Sequence, residues 1–180
     1  MKKSLGNKIW ILIEKITYKI LLYIFKIIKK KPSDEIFASF MQFVKFGIVG
    51  ISNTIISYII YVVSLLLFRI MGLLSNIDYL AAQAAAFILS VIWSFYWNNK
   101  IVFVMHEREK RSIWLSLIKT FISYSFTGLF LNTVLIIFWV NVMHVSEFVA
   151  PIINLLISVP INFVINKFWA FRGKIENESR

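Results

Sequence analysis

The sequence of 180 residues contains no cysteine, only two histidines and only nine acidic residues. The lack of cysteine excludes disulfides, thiolate catalysis and cysteine-based zinc sites. So few histidines and carboxylates leave little for a catalytic triad or for another kind of metal centre. A glycine-rich loop that ends in Lys-Ser or Lys-Thr, which holds nucleotide phosphates in many ATPases, is also missing. The sequence therefore predicts a protein that is not an enzyme and that needs no cofactor.

Apolar residues, in contrast, are abundant and make up 59% of the sequence, whereas charged residues make up 16%. A water-soluble domain of this size cannot bury so much apolar material, so a membrane protein is expected. Lys and Arg outnumber Asp and Glu by 20 to 9, which gives a formal net charge of +11. Such an excess indicates either nucleic acid or anionic lipid as a partner, and the hydrophobicity favours lipid over nucleic acid.

Residues 1–31 are predicted to form a basic amphipathic helix that lies in the membrane interface. At 100° per residue, five lysines fall within one narrow arc and apolar side chains cover the other faces. These lysines are Lys8, Lys15, Lys19, Lys26 and Lys30. We expect them to contact anionic lipid headgroups. A short transmembrane helix is the alternative, but a lysine at the bilayer centre costs roughly 2.5 to 3.5 kcal/mol.

Four long apolar stretches follow a linker at residues 32–42, and each has about the 20 residues that a bilayer crossing needs. They are residues 46–68, 79–97, 120–142 and 148–166. Because the linkers after the first and third stretches are short, the chain is predicted to form two helical hairpins. The expected fold is an all-α integral membrane protein, with an interfacial helix, a four-helix membrane domain at residues 43–173 and a polar tail at 174–180.

Basic residues are distributed very unevenly around these stretches. Nineteen Lys and Arg lie before the first, between the second and third, or after the fourth, whereas Arg69 alone lies in a hairpin linker. By the positive-inside rule, both termini and the central loop are expected in the cytoplasm. The prediction is therefore a membrane protein with several crossings, whose N-terminus and C-terminus lie in the cytoplasm.

The second hairpin repeats part of the first. Residues 94–103 align with residues 162–171 at a shift of 68, and three positions are identical: Phe95 and Phe163, Asn98 and Asn166, and Phe103 and Phe171. A weaker match at a shift of 79 aligns Asn53-Thr54 with Asn132-Thr133. Since both hairpins start and end in the cytoplasm, the repeat is expected to be parallel, with a substrate path near its axis. Chance similarity between apolar helices is the open alternative.

The polar side chains in the middle of the four stretches are uncharged. An intramembrane carboxylate, which proton-driven exporters usually need, is missing, so a small multidrug-type exporter is disfavoured and passive, downhill movement of a substrate fits best. Asn154, Ser158, Asn162 and Asn166 recur every four residues and form a polar stripe on the fourth helix. Such side chains bind a glycosyl headgroup or bond helix to helix, and both interpretations stay open.

These motifs resemble those of the GtrA family, small membrane proteins associated with the transfer of lipid-linked sugars to cell-surface polymers. Residues 43–50, followed by Asn53-Thr54, are similar to the family's opening, which has an aromatic and basic entry and a glycine step. Residues 162–171 match its helix ending, N-F-x-x-N-(K/R)-x-W-x-F, in full. Residues 94–103 depart from that ending at three positions: Ser94, Asn99 and Ile101.

The resemblance implies movement of a polyprenyl-phosphate-linked monosaccharide, typically glucose, from the cytoplasmic to the outer leaflet. A separate synthase would make that lipid, and a separate glycosyltransferase would use the sugar. On this interpretation Lys100 and Lys167 bind the lipid phosphate, although ordinary topology anchors are the alternative for both lysines. The sugar is expected to be bound by Asn53, Asn98, Asn132, Asn162 and Asn166. A non-transporting scaffold for a membrane glycosyltransferase is the competing interpretation, and assembly as a homo-oligomer stays open.

Overall fold

The computed structural model describes residues 5–27, 32–74, 77–105, 109–146 and 148–175. Within these ranges the α-helices are α1 (Leu5–Ile27), α2 (Asp34–Ile70), α3 (Asp78–Trp97), α4 (Ile113–Ser125), α5 (Asn132–Ile137) and α6 (Ala150–Ile165). Four π-helical segments continue these helices: Asn98–Val102, Phe126–Leu131, Phe138–Val142 and Asn166–Ala170. Two strands of two residues each, β1 (Glu109–Lys110) and β2 (Lys174–Ile175), pair antiparallel.

Four helical stretches of the described chain are long and apolar enough to cross a membrane. The first span is α2, and the second, Asp78–Val102, is α3 with its π-helical ending. The third span, Ile113–Val142, contains α4 and α5, and the fourth, Ala150–Ala170, contains α6. Hydrocarbon offers no water to the backbone, so apolar segments of this length are helical. These spans, with α1 before them, confirm the predicted all-α membrane fold.

The first span begins earlier than the sequence indicates. The sequence places a linker at residues 32–42, whereas α2 starts at Asp34 and includes most of that segment. Ser33 Oγ accepts a hydrogen bond from the Ile36 amide at 3.3 Å, and acidic residues in the first turn favour the helix dipole. At 1.5 Å per residue, this helix is about 55 Å long and extends beyond a hydrocarbon core of about 30 Å.

The described residues form two compact units, which divide between Phe46 and Gly47. In the first unit, the rings of Tyr18 on α1 and Phe37 on α2 meet edge to face, with their centroids 5.4 Å apart. Three of the lysines expected at the membrane surface have exposed side chains: Lys15, Lys19 and Lys26. The side chains of the other two, Lys8 and Lys30, lie outside the part of the chain that the structure describes.

The second unit contains both hairpins of the membrane domain. We call the end with the two hairpin turns the loop end, and the end where the second and fourth spans finish the basic end. At the loop end Arg69 Nε donates to Asp78 Oδ2 at 2.9 Å, which ties the first span to the second. Further along the same pair of spans, Trp93 Nε1 donates to Ser52 Oγ at 3.0 Å.

The two hairpins pack through phenylalanines that the repeat makes equivalent. Phe95 stacks on Phe171 with centroids 5.5 Å apart, and Phe103 stacks on Phe163 at 6.0 Å. The shift of 68 relates these two contacts, because Phe95 corresponds to Phe163 and Phe103 corresponds to Phe171. Phe103 and Phe171, which are equivalent to each other, stack directly at 4.6 Å. Such reciprocity is what two hairpins related by a parallel twofold repeat produce.

We expect Phe103→Ala to lower the free energy of unfolding by about 3 kcal/mol, because buried phenylalanine-to-alanine changes leave a large cavity. Phe148→Ala is the control, since Phe148 is 82% exposed, and it should leave the unfolding temperature unchanged. Thermal unfolding of the purified protein in detergent measures both variants. Equal unfolding temperatures for the wild type and Phe103→Ala would contradict this packing role.

Candidate functional site

The repeated asparagine motif forms the same backbone structure in both hairpins. Asn98 begins the π-helical segment that ends the second span, and Asn166 begins the one that ends the fourth. In each segment the asparagine carbonyl accepts a hydrogen bond, at 2.8 Å, from the amide of the phenylalanine five residues later, Phe103 or Phe171. π-Helical turns are rare and frequently lie at functional sites. The sequence repeat therefore corresponds to a π-helical ending in each hairpin, and the third span ends in a similar segment that begins at Phe138 and not at an asparagine.

In the first copy, the Asn98 side chain is fully buried among hydroxyl groups. Its Nδ2 atom donates to Ser94 Oγ at 3.1 Å and lies 3.5 Å from Tyr124 OH. Ser94 Oγ and Tyr124 OH are themselves 2.6 Å apart. This cluster of three residues joins the end of the second span to α4 in the third span.

The second copy makes a similar cluster with the neighbouring residue of α4. Asn166 Nδ2 donates to Asn162 Oδ1 at 2.9 Å and to Ser123 Oγ at 3.1 Å. Ser123 Oγ also donates to Asn162 Oδ1 at 2.9 Å. Because Ser123 and Tyr124 are adjacent in sequence, one turn of α4 contacts both copies of the motif.

Three of the asparagines expected to bind sugar thus lie inside the protein. Asn98, Asn162 and Asn166 are buried, and their amide nitrogens or oxygens contact hydroxyl groups of α4. The Oδ1 atoms of Asn98 and Asn166 are also buried and have no hydrogen-bond partner among the described residues. A direct contact between these amides and a sugar stays a prediction, and their observed contacts are those of helix-joining residues.

Lys100 and Lys167 follow the two asparagine turns closely. Lys100 is exposed, its Nζ atom donates to Tyr96 OH at 3.2 Å, and it lies 5.5 Å from the Trp97 ring centroid. Lys167 Nζ lies 5.6 Å from the ring centroid of Phe163. Aromatic rings attract cations in such positions, so both ammonium groups are held at the basic end beside the repeated motif.

Arg111 is a further residue of the basic end, and the sequence interpretation counted it only for topology. Its guanidinium donates to the carbonyl of Phe171 at 2.8 Å, to that of Phe103 at 3.1 Å and to Asn99 Oδ1. Asn99 stands where the GtrA-like ending has a basic residue, so Arg111 brings a cation to that position from another segment. Nothing in the sequence distinguishes Arg111 from the other basic residues of the central loop.

A pocket of about 460 Å³ lies among the first, second and third spans. Its polar lining consists of Asn53, Thr54, Ser57, Gln83, Ser90 and Tyr124, and its wall also contains aromatic residues. Every side chain that lines the pocket is uncharged. Concave sites with mostly apolar walls and a few convergent polar groups are typical of small-molecule binding. Among the predicted site residues, Asn53 belongs to this pocket.

Asn132, the repeat partner of Asn53, lies elsewhere and is engaged in a hydrogen bond. Asn154 Nδ2 donates to Asn132 Oδ1 at 2.7 Å and to the Asn132 carbonyl at 3.0 Å. The structure therefore brings Asn162 and Asn166 together, connects Asn98 to the pocket through Tyr124, and keeps Asn132 in a pair within the second hairpin.

We expect Arg111→Ala to loosen the basic end, because three acceptors lose a charged donor and each such bond contributes on the order of 2 kcal/mol. Hydrogen exchange measured by mass spectrometry should rise over residues 98–103 and 166–171. Arg172→Ala removes an equally charged but exposed side chain and serves as the control. Equal exchange in the two variants would show that Arg111 does not hold the two turns.

Comparison with known proteins places these features in a family. The GtrA/DPMS transmembrane-domain family matches residues 45–171, a range that contains the pocket and both asparagine turns. The chain is also 29% identical, over 111 residues, to the uncharacterized membrane protein YwcD of Bacillus subtilis (strain 168), which covers 62% of this chain and 87% of that protein. The family match extends over more than half of the chain and confirms the resemblance noted in the motifs. The chain therefore belongs to the GtrA/DPMS transmembrane-domain family.

Proposed function

We propose that the protein moves a polyprenyl-phosphate-linked monosaccharide across the bacterial cytoplasmic membrane. The sugar is then used to glycosylate a cell-surface polysaccharide. Its family links it to the processing of lipid-linked sugars. The observation that carries the proposal is the uncharged, hydroxyl-rich and amide-rich pocket among three membrane spans. In this proposal the protein forms and breaks no covalent bond, and the movement is downhill.

The sugar headgroup is the part of the lipid that hinders its movement. A hydroxyl group transferred from water to hydrocarbon without a compensating hydrogen bond costs roughly 4 to 8 kcal/mol on cyclohexane scales. Amide and hydroxyl side chains both donate and accept, so they replace the water that a sugar loses. Because they are uncharged, they cost less to keep within the bilayer than carboxylates or lysines do.

The phosphate and the polyprenyl chain have separate places in this proposal. Lys100 and Lys167 attract the phosphate at the basic end, close to the asparagine turns. Tyr58 lines the pocket and is 69% exposed, so the pocket adjoins the surface that faces lipid. The polyprenyl chain can therefore stay in the bilayer while the headgroup occupies the pocket. Assembly as a homo-oligomer stays a prediction.

The orientation belongs to the same proposal. With the basic end in the cytoplasm, the phosphate meets lysines in the leaflet where the lipid sugar is made. The exposed Lys15, Lys19 and Lys26 of α1 then contact anionic headgroups of that leaflet.

The absence of cysteine from the sequence makes this topology simple to test. We expect a membrane-impermeant maleimide to label Ser146→Cys in intact cells, because Ser146 lies at the loop end. Ser179→Cys, near the C-terminus, should react only after the membrane is permeabilised. The opposite labelling pattern would contradict the proposed orientation.

Reconstituted vesicles test the transport itself. We expect the purified wild-type protein to speed the movement of tritiated polyprenyl-phosphate glucose between leaflets. Lys100→Gln combined with Lys167→Gln should slow this movement at least about tenfold, equivalent to about 1.4 kcal/mol, because the phosphate loses both cations. Arg172→Gln is the matched control for the loss of a positive charge at the same end.

Two results would contradict the proposal. Wild-type vesicles that move the lipid no faster than protein-free vesicles would refute transport and would favour a scaffold for a membrane glycosyltransferase. Unchanged movement in the double lysine variant would remove Lys100 and Lys167 from the phosphate site.

A further inference from the structure

The two hairpins differ at one position that the repeat makes equivalent. The shift of 79 aligns Asn53 with Asn132, and the shift of 68 aligns Ala86 with Asn154. In the second hairpin, Asn154 is buried and donates to Asn132 Oδ1 at 2.7 Å. In the first hairpin, alanine stands where that amide would be.

Because the first hairpin lacks this amide, it has an acceptor without a partner and a space beside it. Asn53 Oδ1 is buried and has no hydrogen-bond partner among the described residues. Asn53 and Ala86 both line the pocket of about 460 Å³, and Ala86 is itself buried. The Oδ1 atoms of Asn98, Asn154 and Asn166 also have no partner among the described residues, but of these four asparagines only Asn53 lines the pocket. A buried acceptor without a partner is unfavourable, so a ligand in the pocket can supply a donor that Asn53 lacks.

We propose that this pocket binds the sugar headgroup, that Asn53 is a direct ligand of a sugar hydroxyl, and that the pocket exists because Ala86 replaces the pairing asparagine of the second hairpin. This inference rests on the proposed function, to which it adds a residue that contacts the sugar, the reason that the pocket exists, and the chemical class of the sugar. The class is a neutral monosaccharide, since a charged sugar would find no opposite charge in the lining.

The remaining lining suits a hexose. Ser57 and Gln83 offer further donors and acceptors, whereas Ser90 offers only an acceptor, because its hydroxyl donates to the Phe87 carbonyl at 3.1 Å. Tyr61 and Phe87 offer apolar ring surface for the carbon skeleton. The volume falls within the range of about 300 to 1,000 Å³ that is usual for small-molecule sites. Polar groups that converge on a space of this size, with aromatic walls, fix the orientation of a bound ring.

The pocket is connected to the repeated motif through Tyr124. Tyr124 lines the pocket, and its hydroxyl lies 2.6 Å from Ser94 Oγ and 3.5 Å from Asn98 Nδ2. Asn98 is therefore a positioning residue, which acts on the sugar site through Tyr124. Lys100 lies ten residues after Ser90, about 15 Å along the helix, so the phosphate meets Lys100 at an earlier point of the path than the one at which the sugar occupies the pocket.

The decisive variant is Ala86→Asn, which recreates in the first hairpin the amide pair of the second. We expect it to fold, with an unfolding temperature at or above that of the wild type, because Asn53 gains an internal partner. We also expect it to lose sugar recognition, because the new side chain fills the pocket. Ala84→Asn adds the same amide on the same helix outside the pocket lining and is the matched control.

Binding to the purified protein in detergent separates this inference from the proposed function. The two probes are tritiated polyprenyl-phosphate glucose and polyprenyl phosphate without sugar. We expect the wild type and Ala84→Asn to bind the glucosylated probe at least about tenfold more tightly, and Ala86→Asn and Asn53→Ala to bind both probes equally. A factor of ten corresponds to about 1.4 kcal/mol.

The inference is overturned if Ala86→Asn keeps the wild-type preference for the glucosylated probe, or if the wild type shows no such preference. Neither result depends on transport. A wild-type protein that recognises the sugar through Asn53 but moves no lipid in vesicles would refute the proposed function and leave the sugar site established.

Discussion

Polar groups within a bilayer have no water to bond, and the membrane domain is organised around this constraint. The amides of Asn98, Asn162 and Asn166 contact the hydroxyl groups of Tyr124 or Ser123 on α4 and so join the ends of the second and fourth spans to the third. At the basic end, Arg111 donates hydrogen bonds to the carbonyls of Phe103 and Phe171, which follow the two π-helical turns. Several buried side-chain atoms have no hydrogen-bond partner among the described residues, and of the residues that carry them only Asn53 lines the pocket.

The repeat explains both the regular packing and its exceptions. Equivalent phenylalanines stack reciprocally, and equivalent asparagines begin equivalent turns. Symmetry is broken at α4, where Ser123 and Tyr124 serve one copy each. The residues of the first span that align with them at a shift of 79 are Val44 and Lys45, which have no hydroxyl group. The symmetry is also broken at Ala86, which corresponds to Asn154 of the second hairpin. Tyr124 and Ala86 both line the pocket.

Local patterns predicted much of the fold, but they predicted little about the individual side chains. The number of spans, the hairpins and the family followed from apolar length and from the doubled motif. The early start of α2 did not, because the polar residues that cap a helix at Ser33 and Asp34 also suit a linker. Asn53 and Asn132 stand in the same sequence context, yet only Asn132 has an asparagine opposite it.

By itself the sequence determined that this protein belongs in a membrane, how many times it crosses it, and which family it resembles. These properties depend on composition over about 20 consecutive residues and on short motifs, which need no knowledge of distant contacts. The tertiary structure alone decided which polar groups are satisfied and where space remains. That outcome depends on which side chains face each other across helices, such as Asn154 opposite Asn132. The sequence does not reveal such pairs, because residues that are neighbours in space are distant in sequence.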